Sequence, residues 1–306
     1  MHKFCIFVIV LLLITVTPSW GGEIERIQSK GEITVSLNRG YPPFAMEKDG
    51  NVFGLDVDLA HLLADYLDVK VKFIRPDTYD KQIPKLLAGE SDIIIAAMTR
   101  TVERGLKVSF SDPYFEVSQA ALVRRDLLPA GAESYFDLPE IKGLRLGVKA
   151  DTTHETFARD LFPAESIKRY PTAAAAAEAL MKGDVDAMVS DSPFVMVWRN
   201  THPEHYPQIA ALLAPVTREF YAFAIRQGDS TFLEWLNLFV DQIKIDGTLD
   251  LLTYEYFEQM AWANQKALPK RKLNRAQLMR NKFVARKKAE IDRRRREFQG
   301  AGDKYE

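Results

Sequence analysis

The chain has 306 residues, 47% hydrophobic and 27% charged, with a formal net charge of −1; it is long for one simple domain, ample for two, and too apolar for a disordered chain. The near-neutral total hides a split, because residues 266–306 carry 15 Lys and Arg against 5 Asp and Glu, which leaves −12 on residues 22–265. An acidic body with a basic end excludes a uniformly basic nucleic-acid binder.

The first residues read as a secretory signal. His2 and Lys3 precede an apolar run from Phe4 to Val16, Thr17-Pro18-Ser19 breaks it, and Ser19-Trp20-Gly21 offers small residues for cleavage. A run of 13 residues is short of the roughly 20 needed to span a bilayer as a helix; the plainer alternative to a cleaved signal is an uncleaved N-terminal anchor. Cys5, the sole cysteine, lies inside it, so the mature chain 22–306 has no thiol. Export without disulfides suits a bacterial periplasm.

Alternation then organises the body. Glu32 to Asn38 reads as a buried strand, stopped by Tyr41-Pro42-Pro43 because proline lacks the ladder donor. Leu55 to Leu67 carries a helical stripe at Leu55, Leu59, Leu62, Leu63 and Tyr66. Val69 to Ile74 is expected as a strand, Tyr79 to Leu87 as a short helix, and Asp92 to Met98 as a strand apolar on both faces. A short helix over Thr101–Lys107 and a strand over Gln119–Val123 follow. A second alternating block has strands at Leu144–Val148, Ile167–Tyr170 and Asp186–Ser190, with helices at Thr153–Leu161, Ala173–Met181 and Pro193–Trp198. A strand at Phe220–Ile225 and helices at Phe232–Ile245 and Leu249–Trp262 end the body. This pattern predicts an α/β fold. The tail has a loose apolar stripe at Met279, Phe283, Ile291 and Phe298 and the run Arg293–Arg296, so a solvated basic helix is expected there.

The distinctive residues cluster at strand-to-helix edges. Tyr41-Pro42-Pro43-Phe44 follows the first strand, and Gly54-Leu55-Asp56-Val57-Asp58 opens the next helix. Asp92 to Met98 runs through Thr99-Arg100-Thr101-Val102-Glu103-Arg104 to Phe110-Ser111-Asp112-Pro113-Tyr114. Gly147-Val148-Lys149-Ala150-Asp151-Thr152-Thr153 and Gly183-Asp184-Val185-Asp186-Ala187-Met188-Val189-Ser190-Asp191 complete the set. A free amino acid is a zwitterion and needs a cation and an anion a few ångströms apart. Arg104 can grip a carboxylate bidentately. Met98 and Thr99, and again Thr152 and Thr153, precede helix starts whose free N–H groups favour an anion. Asp191 ends a strand and can accept from an ammonium, while Tyr41 and Phe44 offer aromatic walls. Each has a plainer reading: Arg104 as a surface ion pair with Glu103 or Asp112, Asp191 and the threonines as helix caps, Phe44 as core.

In order and spacing these segments resemble the family 3 extracellular solute-binding proteins, the polar amino-acid receptors of ABC importers, over Ile24 to Phe257. The resemblance implies a two-lobed, hinge-bending type II periplasmic binding fold. Lobe 1 is discontinuous (22–121 and 216–264), lobe 2 takes 122–215, and a basic helical extension follows from 265. Hinge strands are expected at Leu122–Arg125 and Pro215–Phe220. The resemblance assigns Arg104 and Thr99 to the ligand carboxylate, joined by Thr152 or Thr153, Asp191 to its amine and Tyr41 to the pocket wall. It implies a monomer that binds a free amino acid without cofactor or metal and delivers it to the membrane permease of an ABC importer.

Two positions depart from the pattern. The family usually has glycine where Asp151 stands; its carboxylate costs binding of a ligand carboxylate unless it points away, or favours a ligand with a cationic side chain, an idea weakened by Asn38 in place of an acid that receptors for basic amino acids often carry. His154 could meet a ligand side chain, with a helix-surface position its plainer reading. Two rivals remain. One is a sensing or accessory protein tethered through its basic tail to anionic lipid or a partner. The other is a cyclohexadienyl dehydratase-like enzyme with Asp191 or Asp151 as its acid. His202 and His205 beside Pro203 and Pro207 make a loop rather than a metal site.

Overall fold

The computed structural model describes residues 22–263; the expected leader and the basic tail lie outside the described residues. In chain order the elements are α1 (Glu23–Lys30), β1 (Glu32–Ser36), β2 (Met46–Lys48), β3 (Asn51–Phe53), α2 (Leu55–Tyr66), β4 (Lys70–Ile74), α3 (Gln82–Leu87) and β5 (Ile93–Ile94). Then come α4 (Val102–Gly105), β6 (Ser109–Val117), β7 (Gln119–Arg124), β8 (Leu146–Lys149), α5 (Thr153–Leu161), β9 (Ile167–Tyr170) and α6 (Ala173–Lys182). The body ends with β10 (Ala187–Asp191), α7 (Ser192–Thr201), β11 (Ile209–Leu212), β12 (Glu219–Ile225), α8 (Ser230–Ile245) and α9 (Thr248–Thr253).

Two five-stranded sheets organise these elements. The first has the order β4-β1-β5-β12-β6 and the second β11-β7-β10-β8-β9, with β2 and β3 forming a separate hairpin. In the first sheet β4, β1 and β5 are parallel, β12 runs antiparallel to β5, and β6 antiparallel to β12. In the second, β10, β8 and β9 are parallel, and β7 runs antiparallel to both β10 and β11. This is the type II binding-protein architecture. The stripe on α2 does what its spacing predicts: Leu55, Leu59, Leu62 and Leu63 are buried, with Tyr66 packed against the same core.

The chain passes from the first sheet to the second at Ser118, between β6 and β7, and returns through residues 213–218 into β12. The expected boundary between 121 and 122 falls inside β7, where Leu122 pairs with Met188 and Ala211. Of the expected hinge segment, residues 122–124 pair within the second sheet and Arg125 begins a 3-10 turn. At the crossing, the Ser192 amide donates to the Ser118 carbonyl at 2.8 Å and the Gln119 amide to Thr217 Oγ1 at 2.7 Å.

Several expectations change for physical reasons. The run Asp92–Met98 is extended only at its start, because Ala97 adopts a φ of +47°, which ends a strand. Strand β6 escapes sequence reading because Pro113 sits in it; as an edge strand it tolerates the missing donor. The hairpin β2–β3 turns on Asp49-Gly50, both at positive φ, a turn that Asp-Gly favours. Edge strand β11 and helix α1 also lie outside the predicted pattern. The expected helix Leu249–Trp262 is α9 followed by π-helical turns over Tyr254–Gln259, ended by Met260 at φ +46°.

Candidate ligand-binding cleft

In open α/β sheets the crevice beyond the carboxyl ends of the strands is where ligands bind. Four such ends meet here: Asn38 beyond β1, Thr99 beyond β5, Lys149 closing β8 and Asp191 closing β10. They line one cleft, whose empty space comes to about 250 Å³ with open solvent included. From the side of the first sheet come Asn38, Tyr41, Tyr79, Ala97, Thr99 and Arg104. From the side of the second come Lys149, Thr152, Thr153, His154 and Asp191.

The corner that holds Arg104 is built by a short helix. Thr101 caps α4 by accepting from the Arg104 amide at 3.3 Å. Arg104 then folds back, one guanidinium nitrogen donating to the Thr99 carbonyl at 2.8 Å and its Cζ standing 5.6 Å from the centroid of the Tyr79 ring. The bond to Thr99 fixes the plane of the guanidinium and leaves its other donors available. Across the cleft, Thr152 precedes α5 and donates its hydroxyl to the Lys149 carbonyl at 2.7 Å, so the strand end and the helix start are tied together.

Asp191 is buried under a polar canopy. Its Oδ2 accepts from Tyr41 Oη at 2.6 Å and also from Tyr221 Oη, and its Oδ1 stands 2.9 Å from His154 Nε2 without hydrogen-bond alignment. Burial alone would raise the pKa of this carboxyl, but His154, Tyr221 and Tyr41 together hold it below the ordinary carboxylate value. Burial, and then the charge of Asp191, pushes both tyrosines well above theirs. A carboxylate has about four lone-pair sites, so Oδ1 retains room for an ammonium.

Lys149 lies among aromatic faces. Its Nζ donates to Asn38 Oδ1 at 2.7 Å and sits 4.3 Å from the Tyr79 centroid and 5.3 Å from that of Tyr41. It is 3% exposed. Burial lowers its pKa from 10.5 to about 7, with the charge of Asp191 opposing the fall and that of Arg104 adding to it.

Six of the residues singled out from sequence meet in this cleft: Tyr41, Thr99, Arg104, Thr152, Thr153 and Asp191. Phe44 and Met98 stand behind it. Phe44 stacks on the back of Tyr41 at 5.8 Å and meets Tyr221 and Phe257 edge-on. Met98 packs with Leu86, Val108 and Ala224, and its carbonyl accepts from the Ala222 amide. His154 is buried at 3% exposure, not on a helix surface. Asp151 takes φ +61°, a conformation natural to glycine and open to aspartate, and its carboxylate turns outward to Arg169 at 2.6 Å. Lys149 and Tyr79 escaped the sequence reading. A lysine closing the otherwise apolar strand Leu146-Gly147-Val148, just before a threonine pair, was the available signal.

Comparison with known proteins bears on the family and the fold. The profile of the bacterial extracellular solute-binding proteins, family 3, matches residues 33–259. ABC transporter arginine-binding protein 1 of Escherichia coli is 29% identical over 234 residues, covering 74% of this chain and 91% of the relative. ABC transporter glutamine-binding protein GlnH of Bacillus subtilis is 27% identical, covering 83% and 94%. Among solved structures, a putative binding component of an ABC transporter from Wolinella succinogenes, complexed with lysine, superposes with a TM-score of 0.71 at 38% identity over 77% of this chain and 100% of that one. An ancestral amino acid-binding protein, a precursor of cyclohexadienyl dehydratase, superposes with a TM-score of 0.69 at 35% identity over 78% and 100%.

Proposed function

The chain belongs to the bacterial extracellular solute-binding proteins of family 3, and on that premise we propose that it is exported to the periplasm and binds a free amino acid there for delivery to an ABC importer. The observation that carries this reading is that Arg104 and Asp191, on opposite sides of the crossing at Ser118, line one cleft. Arg104 and Thr99 take the ligand's α-carboxylate, helped by the N–H groups at the start of α5 beside Thr152 and Thr153. Asp191 Oδ1 accepts from the α-ammonium, and Tyr41 forms a wall. A ligand that touches both sides stabilises the state in which they face each other, by its difference in affinity for the open and closed forms. Micromolar affinity corresponds to about −8 kcal/mol, within reach of two charge-assisted ends in a confined cleft.

We read the site as one of binding rather than turnover. Of the two acids a dehydratase reading would use, Asp191 is held below the ordinary carboxylate value and Asp151 turns its carboxylate to Arg169, whereas a general acid must hold a proton near neutral pH. The lobes divide at Ser118 and residues 213–218, and the molecule works as a monomer. Thermal-shift screening of the full chain against the twenty amino acids tests the reading. At least one should raise Tm, and Arg104→Ala should abolish that rise while leaving the unliganded Tm within a few degrees. Absence of any stabilising amino acid overturns it.

A further inference from the structure

A zwitterionic backbone group needs one cation and one anion, yet this cleft holds two buried or half-buried cationic side chains. Arg104 and Lys149 both lie against the Tyr79 ring, while Asp191 is the one acid among the residues lining the cleft. That acid is already engaged by Tyr41, Tyr221 and the imidazole of His154. Among the described residues Lys149 Nζ has one hydrogen-bond acceptor, the neutral amide oxygen of Asn38, and an ammonium has three donors to place. Its side chain comes from the second sheet and its acceptor from the first, so the cation is held across the cleft.

The position of Lys149 also decides what cannot sit there. Tyr41 and Tyr79 present the aromatic faces that would receive a ligand cation, and this chain's own ammonium already lies between them, 5.3 and 4.3 Å from the two centroids. A guanidinium or ammonium on a ligand side chain would meet a like charge in a site shielded from water, a repulsion that specific receptors use to reject wrong partners. Asp151, the acid closest in sequence to the threonine pair, does not offset this, because it is paired outward with Arg169.

We propose that the bound solute is an acidic amino acid, aspartate or glutamate in type, whose α-carboxylate is held by Arg104 and whose side-chain carboxylate is held by Lys149. The proposal rests on the amino-acid reading above and adds the sign of the side chain. A second carboxylate would fill the vacant donors of Lys149 and balance the charge of the cleft, and a bond to an ionised partner is worth roughly twice a neutral one.

The test is isothermal titration of the full chain with L-glutamate, L-aspartate, L-glutamine, L-arginine and L-lysine. Glutamate or aspartate should bind at least tenfold tighter than glutamine, and arginine and lysine weaker still. Lys149→Met should lower the glutamate-to-glutamine affinity ratio at least tenfold, and Lys149→Arg should keep it. The ratio within each variant cancels any general loss of fold. Binding of glutamine, arginine or lysine at or above the affinity for both acids overturns this inference and leaves the amino-acid reading standing. Failure of all twenty amino acids to bind overturns both. An unchanged ratio in Lys149→Met removes Lys149 from the recognition of the side chain.

Discussion

Asp56 stands second in α2, wholly buried, with Oδ1 accepting from Tyr114 Oη at 2.7 Å. Burial raises its pKa from 3.8 to about 7, against the pull of the bonds from Tyr114 and the Ala97 backbone. The unfolded chain releases this proton near 3.8 and the folded one near 7, so between those values the folded state binds more protons and stability falls as pH rises. The stabilisation is whole below the lower value and gone above the upper. A shift of about three units is worth about 4 kcal/mol in total, of which about 2.5 kcal/mol is lost between pH 5 and pH 8. Asp56→Asn removes the titration. Its amide oxygen can accept from Tyr114 Oη as the carboxylate does. Urea unfolding of both proteins at pH 5 and pH 8 should show the Asp56→Asn variant gaining on the parent by about 2 kcal/mol or more across that interval. Parallel pH slopes for the two proteins would refute the assignment of a buried, late-titrating carboxyl to this position.

Two further outcomes follow from single contacts. Gly54 has φ +138°, and a Cβ there would lie 2.2 Å from the Phe44 carbonyl oxygen and 2.5 Å from its carbon; Gly54→Ala should therefore destabilise by about 3 kcal/mol or more, and a Tm within two degrees of the parent would contradict the geometry. Lys149, with its pKa lowered to about 7 by burial, faces Asn38, Tyr41, Tyr79, Arg104 and Asp191. An anionic ligand raises that pKa, so binding should take up as much as about one proton between pH 7 and pH 9 and weaken as pH rises across that window. Titration calorimetry in two buffers of different ionisation enthalpy reads the proton count, and a count of zero excludes the linkage.

Much of this molecule is legible in its sequence where periodicity or a turn residue acts locally. The stripe on α2, the run Ala173–Lys182 ended by Gly183 in the left-handed region, and the strands flanking them follow from side-chain spacing and one glycine. The site residues were legible because they sit where strands hand over to helices. What escaped was set by distant partners. Pro113 hides β6, which exists because β12 lies beside it. His154 is buried because Asp191, at the end of another strand, meets its ring. Phe44 and Met98 adjoin the site in sequence but face its back, since the direction of a side chain at a strand end depends on the turn that follows. At position 151 the backbone takes a conformation natural to glycine, which aspartate adopts with its carboxylate turned out to Arg169.

The contacts that bridge the cleft also set the terms for any ligand. Tyr41 and Tyr221 belong with the first sheet and Asp191 with the second; Asn38 and Lys149 repeat that pairing. Each bridge consumes part of the polar capacity that recognition requires, so a ligand gains affinity only through groups the bridges leave open. On Arg104 those are the donors not given to Thr99, on Asp191 one site at Oδ1, and on Lys149 the donors not given to Asn38. Three open groups on three sides of one small cleft call for three complementary groups on one small molecule. An amino acid with an apolar side chain offers two, and one with an amide side chain offers Lys149 only a neutral acceptor, worth roughly half an ionised one. On the acidic-ligand proposal, discrimination between acidic and neutral ligands therefore rests on Lys149 meeting an ionised acceptor rather than a neutral one or none.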